Sequence, residues 1–377
     1  MAKNKNLNSA ARAKKDEFYT QLGDIERELY YYRPHFKDKI VLCNCDDPYE
    51  SEFFKYFAIY FNQLGLKKLI ATCYAGSPIV QTELNFWGTP NENPHFDKKK
   101  SAIKFEVREV KDWNGDDATD LDDVKWLLEN DKNSVTYLEG DGDFRSPECV
   151  EALKEADIVV TNPPFSLFRE YVAQLMKYDK KFLIIGNVNA ITYKEIFPLI
   201  MQNKIWLGAS IHSGDREMQV PEHYEVRSKS LRVDENGKRF IRVPSLRWYT
   251  NLEYSQRHED ILLFKRYSQE PELFPHYDNY DAIEVPKTAF IPCDYFGVMG
   301  VPITFLDKYN PSQFEILGCP HANVLPEDWR GMSEEFVKLY YEQGNTGSYK
   351  VGHRLLSYID ANGKAKVPYA RILIRRR

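Results

Sequence analysis

The sequence predicts an α/β domain built on a mostly parallel sheet with helices on both faces, followed by a region of α+β character. Three observations carry this. Short apolar runs alternate with helical segments across residues 16–207. Several of those runs are continuously apolar, as strands covered on both faces must be. Beyond residue 208 the rhythm stops, and two Asn-Gly turns flanked by extended segments replace it. A boundary near residue 208 therefore separates residues 16–207 from residues 208–377. Residues 1–15, with Lys3, Lys5, Arg12, Lys14 and Lys15 among small polar residues, read as a flexible basic arm.

The elements follow in order. Ile40–Cys43 is a buried strand, and Ser51–Leu64 is one aromatic amphipathic helix. Leu69–Cys73 is a second strand, and the Pro-, Asn- and Gly-rich stretch 75–102 is a long loop. Phe105–Val110 and Val135–Leu138 read as strands, with a helical pattern over Asp120–Leu128 between them. Ser146-Pro147-Glu148 opens a helix, because Ser caps the first turn and Pro suits its first position. Asp157–Thr161 is a buried strand, Leu167–Tyr178 a helix, Phe182–Gly186 a strand, Thr192–Gln202 a helix and Ile205–Leu207 a strand. The two Asn-Gly hairpins are Ser230–Val243, around Asn236-Gly237, and Leu355–Ile374, around Asn362-Gly363.

Composition narrows the function. The chain has 377 residues, of which 43% are hydrophobic and 28% charged, so it is globular and not disordered. Its net charge of -5 excludes a uniformly basic nucleic-acid coat. A local basic face remains open. Arg227, Lys229, Arg232, Lys238, Arg239, Arg242 and Arg247 cluster around the first hairpin, and the chain ends Arg375-Arg376-Arg377. The six cysteines form no CxxC pair, which supports neither a zinc site nor a disulfide framework. Cys43 and Cys45 read as small hydrophobes on one strand face. A reducing, cytoplasmic location follows from this cysteine usage. No apolar run reaches the roughly 20 residues that a membrane helix needs.

The strongest chemical signal is Asn162-Pro163-Pro164-Phe165, directly behind the apolar strand. Two prolines end the strand and stiffen the turn. An amide side chain, backbone carbonyls and an aromatic face then stand at the carboxyl end of a strand, where open α/β sheets bind ligands. That set suits an exocyclic amine on a planar ring. The Asn162 oxygen and the Pro163 carbonyl accept its two N–H bonds, and Phe165 stacks on the ring. As the amine attacks an electrophilic methyl group it gains positive charge, which the acceptors stabilise. The plain alternative is a strand-to-helix turn with two prolines at the helix start.

Asn-Pro-Pro-Phe in this position resembles the motif of amino methyltransferases that use S-adenosylmethionine. The blocks Asp16–Gln21, Cys43–Pro48, Gly140–Ser146 and Asn162–Glu170, and further on Phe296–Pro302, resemble the EcoRI-type adenine methyltransferase family. The resemblance implies a Rossmann-like class I methyltransferase sheet with a C-terminal target-recognition region. It implies methyl transfer from S-adenosylmethionine to adenine N6 in double-stranded DNA, with the base flipped out of the stack. It also implies protection of DNA from a restriction endonuclease. Phe18, Tyr19 and Thr20 are similar to the N-terminal block that closes over the donor in this class. Asn44, Asp46, Asp47 and Pro48 stand where related enzymes place a Gly-rich loop, which this chain lacks. Asp46 and Asp47 would accept from the donor's ammonium group. Asp141 and Phe144 suit its adenine, although Gly-Asp-Gly-Asp is also ordinary turn chemistry. Tyr74 could pack on the adenine or in the core. Lys98-Lys99-Lys100 is a phosphate contact or a solvated loop. Arg232, Lys238, Arg239, Arg242, Arg371 and Arg375 are the expected DNA contacts. Neither a metal nor a membrane is implied, and a monomer is expected. Rival readings are a methyltransferase for cytosine N4, RNA adenine or protein glutamine, and an inactive DNA-binding protein on the same fold.

Overall fold

Four of the apolar runs lie side by side in parallel. The computed structural model describes residues 20–45, 51–73, 102–113, 115–116, 119–120, 122–123, 126–127, 135–210, 216–220 and 231–377. The strands in chain order are β1 (Ile40–Cys43), β2 (Lys68–Cys73), β3 (Ile103–Val107), β4 (Val135–Tyr137), β5 (Ile158–Thr161), β6 (Lys181–Asn187), β7 (Trp206–Leu207), β8 (Arg216–Val220), β9 (Arg232–Val233), β10 (Arg239–Val243) and β11 (Leu246–Thr250). The main sheet runs β4-β3-β2-β1-β5-β6-β11. β2, β1, β5 and β6 form the parallel centre. β3 and β11 are antiparallel to their neighbours. The burial patterns match: β2 and β5 are buried throughout, whereas β3 alternates. The sheet is thus mixed: its four-stranded centre is parallel, but antiparallel strands flank it where the sequence predicts a mostly parallel sheet.

Local chemistry explains the helices. Ser51 Oγ accepts from the Phe53 and Phe54 N–H groups at 3.2 and 3.3 Å and starts the helix Glu52–Ile59. This helix is interrupted at Tyr60 and resumes only over Phe61–Leu64, so Ser51–Leu64 is not one helix. Its rings are core: Phe53 meets Trp248 edge-on at 5.8 Å and Phe54 meets Phe105 at 5.5 Å. Each buried aromatic contributes roughly 1.5–3 kcal/mol. The expected helix Thr192–Gln202 shrinks to Phe197–Met201, preceded by a 3-10 turn. Pro198 lacks an N–H and sits near the start of that helix. Cys45 lies beyond the end of β1, in a turn, so it does not share a strand face with Cys43.

The chain forms two compact units, residues 1–188 with 213–253, and residues 189–212 with 254–377. The chain passes between the units three times, after residues 188, 212 and 253. The cause is β11, which returns to pair with β6 and brings the first hairpin with it. That hairpin forms as predicted: β9 and β10 pair around Gly237, at φ +79°, and β10 also pairs with β8. In the second unit β12 (Ile283–Glu284), β13 (Met299–Pro302), β17 (Arg371–Arg376) and β14 (Phe314–Gly318) form a four-stranded sheet in that order. The second hairpin is shorter than Leu355–Ile374. Only β15 (Tyr358–Ile359) and β16 (Ala365–Lys366) pair, and β17 joins the larger sheet.

A buried polar network sits in that sheet. The Arg371 guanidinium grips the Glu284 carboxylate, with Nε 3.0 Å from both oxygens, and the Tyr277 hydroxyl donates to the same carboxylate. Burial, and then the Glu284 charge, push the Tyr277 phenol well above its ordinary pKa. Gly300 makes room for this: a Cβ there would lie 2.1 Å from the Tyr277 hydroxyl. Arg371, expected as a DNA contact, is only partly exposed and pairs with Glu284, because the register Pro302↔Arg371 draws it into the sheet. Glu284→Ala leaves this guanidinium buried without its carboxylate. Chemical denaturation is expected to show a loss of about 3–5 kcal/mol.

Candidate active site

The carboxyl ends of β1, β2 and β5 bring the sequence blocks together. Asn44 follows β1 and is buried. Its carbonyl accepts from the Thr72 hydroxyl at 3.3 Å, which ties the end of β1 to β2. Its side-chain oxygen accepts from the Tyr171 hydroxyl and from the Cys45 thiol, the latter at 3.9 Å. Its Nδ2 is buried and has no hydrogen-bond partner among the described residues. Thr20 is likewise buried, with its hydroxyl unpartnered among them. Phe18, Tyr19, Asp46, Asp47 and Pro48 lie outside the described residues, as do Tyr74, Lys98–Lys100, Arg227, Lys229, the basic arm 1–15 and nearly all of the loop 75–102.

The Gly140–Ser146 block closes over the end of β2. Gly142 takes φ +77°, and a Cβ there would stand 2.3 Å from the Cys73 carbonyl oxygen and 2.6 Å from the Ala102 Cβ. Only glycine fits both the backbone angle and the space. Asp141 is exposed, and its Oδ1 accepts from the Asp143 N–H at 3.0 Å, so the turn chemistry read from the sequence is realised. Phe144 is buried edge-on against Tyr171 at 5.0 Å, and its carbonyl accepts from Gln174 Nε2 at 3.1 Å. Arg145 binds Asp143 at 2.7 Å and Glu170 at 2.7 Å, joining this loop to the helix behind Phe165. The Arg145 guanidinium holds the Asp143 carboxyl below its ordinary pKa.

The Asn162–Phe165 block turns off β5. Pro163 is buried, while Asn162, Pro164 and Phe165 are partly exposed. A 3-10 turn over Phe165–Leu167 leads into the helix Phe168–Lys177. The Pro164 carbonyl accepts from the Leu167 N–H at 3.0 Å, so the turn itself uses this acceptor. Asn162 and Pro163 stand directly behind the last residue of β5. The helix buries Phe168, Tyr171, Val172 and Leu175. Phe168 meets Tyr249 at 5.0 Å over Gly186, where a Cβ would lie 2.5 Å from the Phe168 ring.

Sequence reasoning missed Tyr171, Thr72, Arg145, Glu170 and Gln174 around this site. A signal for Tyr171 was present: positions 168, 171, 172 and 175 share one helical face. That face named the residue but not its partner, which lies 127 positions away.

The expected DNA contacts divide by face. On β10, Phe240 and Arg242 share one side with Arg232 of β9, while Arg239 shares the other with the buried Ile241 and Val243. Arg232 binds Glu217 at 3.1 and 2.8 Å and lies over the Phe240 ring at 4.8 Å. Lys238 and Arg242 are exposed, and Arg239 is half-buried. Arg375 pairs with Glu315 at 2.9 Å on the second unit's sheet.

Gly142→Ala is expected to destabilise the protein by about 1–3 kcal/mol, through backbone strain and overlap with Cys73. Gly140→Ala is the control. There a Cβ finds nothing nearer than 3.5 Å, and the change is expected to stay within about 0.5 kcal/mol. Thermal unfolding of both variants checks the difference.

Known proteins resemble this chain over most of its length. The model of the family described as adenine-specific methyltransferase EcoRI matches residues 6–377. The chain is 52% identical over 316 residues to the type II methyltransferase M.EcoRI of Escherichia coli, covering 84% of this chain and 89% of that one. It is 37% identical over 323 residues to M.MpnI of Mycoplasma pneumoniae, covering 84% and 88%. It is 33% identical over 375 residues to M.MgeORF184P of Mycoplasma genitalium, covering 98% of each. No solved structure matches. With a family match over residues 6–377 and 52% identity to one relative over 84% of its length, the chain belongs to the EcoRI family of adenine-specific methyltransferases.

Proposed function

We propose that this protein moves a methyl group from S-adenosylmethionine to N6 of an adenine extruded from double-stranded DNA at a specific site. The observation that carries the reading is the Asn162–Phe165 turn directly after β5, beside β1, which buried Asn44 follows. The site's chemistry fits the donor. Asn44 Nδ2 and the Thr20 hydroxyl are buried and lack hydrogen-bond partners among the described residues, and the donor's carboxylate, ribose and purine offer acceptors. When bound, S-adenosylmethionine supplies an electrophilic methyl group. We assign Asn44, Thr20, Phe18, Tyr19, Asp46, Asp47, Pro48, Asp141 and Phe144 to holding it. Phe144 contributes mainly by packing, since its ring is buried against Tyr171.

Asn162 and the Pro163 carbonyl accept the two N–H bonds of the adenine amine. They orient its lone pair and stabilise the positive charge that grows on N6. Phe165, partly exposed at the turn, stacks on the base. The proton leaves after methyl transfer, when N6 is acidic, so no strong base is required beforehand. The exposed Lys238 and Arg242, with Arg232 beside them, track DNA phosphates. The protein acts as a monomer on each strand in turn, in the cytoplasm with its DNA, and shields the site from a restriction endonuclease.

Asn162→Ala is expected to lower methyl transfer to duplex DNA at least a hundredfold while the donor still binds, the scale of losing one transition-state acceptor. A radiolabelled transfer assay beside donor titration calorimetry checks this. Turnover near the wild-type rate would place the active site elsewhere.

Lys238→Ala with Arg242→Ala is expected to weaken DNA binding and to flatten its salt dependence. Each lost phosphate contact lowers the log–log slope by about one unit. Donor affinity should not change. DNA titrations at several salt concentrations measure both, and an unaltered slope would remove this face from the interface.

A further inference from the structure

Tyr171 plays no part in the proposed chemistry, yet it is fully buried and bonded to a residue at the end of β1. We propose that Tyr171 is a positioning residue. Its hydroxyl holds the Asn44 amide so that Nδ2 presents an N–H to the carboxylate of the methyl donor. This rests on the reading that the donor binds beside Asn44.

Four observations converge. First, Asn44 is 2% exposed, and a buried amide N–H without a partner costs roughly 1–3 kcal/mol, so a partner is expected when the site is filled. Nδ2 has none among the described residues. Second, both contacts to the side-chain oxygen come from groups that can donate, the Tyr171 hydroxyl and the Cys45 thiol. Nδ2 is then the end of the amide without a partner among the described residues. Third, the Asn44 carbonyl is held by Thr72, so the backbone as well as the side chain is pinned. Fourth, Tyr171 is itself clamped. Its ring packs on Phe144, and Gln174, on the next turn of the helix, bonds the Phe144 carbonyl. Both residues ride on the helix that begins directly after the Asn162–Phe165 turn. The donor and the base to be methylated would thus be registered by one rigid element.

The carboxylate is the acceptor because it is the donor molecule's only anionic group. A buried N–H to an ionised oxygen is about twice as strong as a neutral pair. Asp46 and Asp47, which follow in sequence, carry the wrong charge to bind it and suit the ammonium group instead.

The test is a thermodynamic cycle read by calorimetry, with S-adenosylhomocysteine as ligand. Asn44→Ala is expected to weaken binding about tenfold. Tyr171→Phe keeps the ring on Phe144 and removes only the hydroxyl, and it is expected to weaken binding about three- to tenfold. The double variant should bind no more weakly than Asn44→Ala, because the hydroxyl acts through the amide. Methylthioadenosine lacks the amino-acid end, so its affinity should be nearly the same in wild type and Tyr171→Phe. Methyl transfer by Tyr171→Phe should show a raised donor KM with kcat nearly kept.

Several outcomes overturn the proposal. Wild-type affinity in Tyr171→Phe removes the positioning role. Fully additive losses make the tyrosine independent of Asn44. Equal losses for both ligands move the contact from the carboxylate to the nucleoside. Failure of the wild-type protein to bind S-adenosylhomocysteine would instead sink the reading of the donor site itself. Unliganded thermal unfolding of each variant separates lost binding from lost folding.

Discussion

The close approach of Gly142 to the Cys73 carbonyl sets the geometry of the whole site. A loop that follows a margin strand of the sheet must lie down on the carboxyl end of β2. Only a residue without a side chain, in a left-handed backbone conformation, allows it. Once the loop lies there, the rest follows by packing. Phe144 turns inward against Tyr171, Tyr171 reaches Asn44, and Asn44 is tied to Thr72 on β2. The chain of contacts runs from β2 through the loop and the helix to β1 and back to β2. Removing any member loosens the others, since each holds the next in place.

The Asn162–Phe165 turn is built differently. The prolines leave few backbone donors, and the Pro164 carbonyl is consumed in starting the helix. What remains is acceptor-rich, which suits a reaction whose transition state gains positive charge on nitrogen. The ion-paired link from Asp143 through Arg145 to Glu170 is half-exposed and worth little as stability. It does keep the loop and the helix in register, beside the buried contacts that carry the energy.

Arginine illustrates how identity differs from role. Arg371, Arg375 and Arg232 look alike in a basic sequence. One is mostly covered, on a buried carboxylate with a tyrosine behind it, and the other two are surface side chains with acidic neighbours. Desolvation separates them: a guanidinium in the core must be fully paired, whereas one at the surface can exchange its partner for a phosphate.

The sequence by itself determined the parallel strands, the Asn162–Phe165 turn behind one of them, the first hairpin and the family. Each is encoded locally. Continuous apolar runs specify doubly covered strands, prolines specify the turn, and Asn-Gly specifies the hairpin. Only the tertiary structure decided the rest. The antiparallel return of β11 interleaves the two units, a long-range pairing that no local pattern announces. Strand register drew Arg371 onto Glu284 and put Arg242 and Arg239 on opposite faces, because a shift of one residue exchanges the two sides of a strand. The partnership of Tyr171 with Asn44 spans 127 positions. A helical period shows that such a tyrosine points inward, but what it meets there depends on how the sheet and the loop close around it.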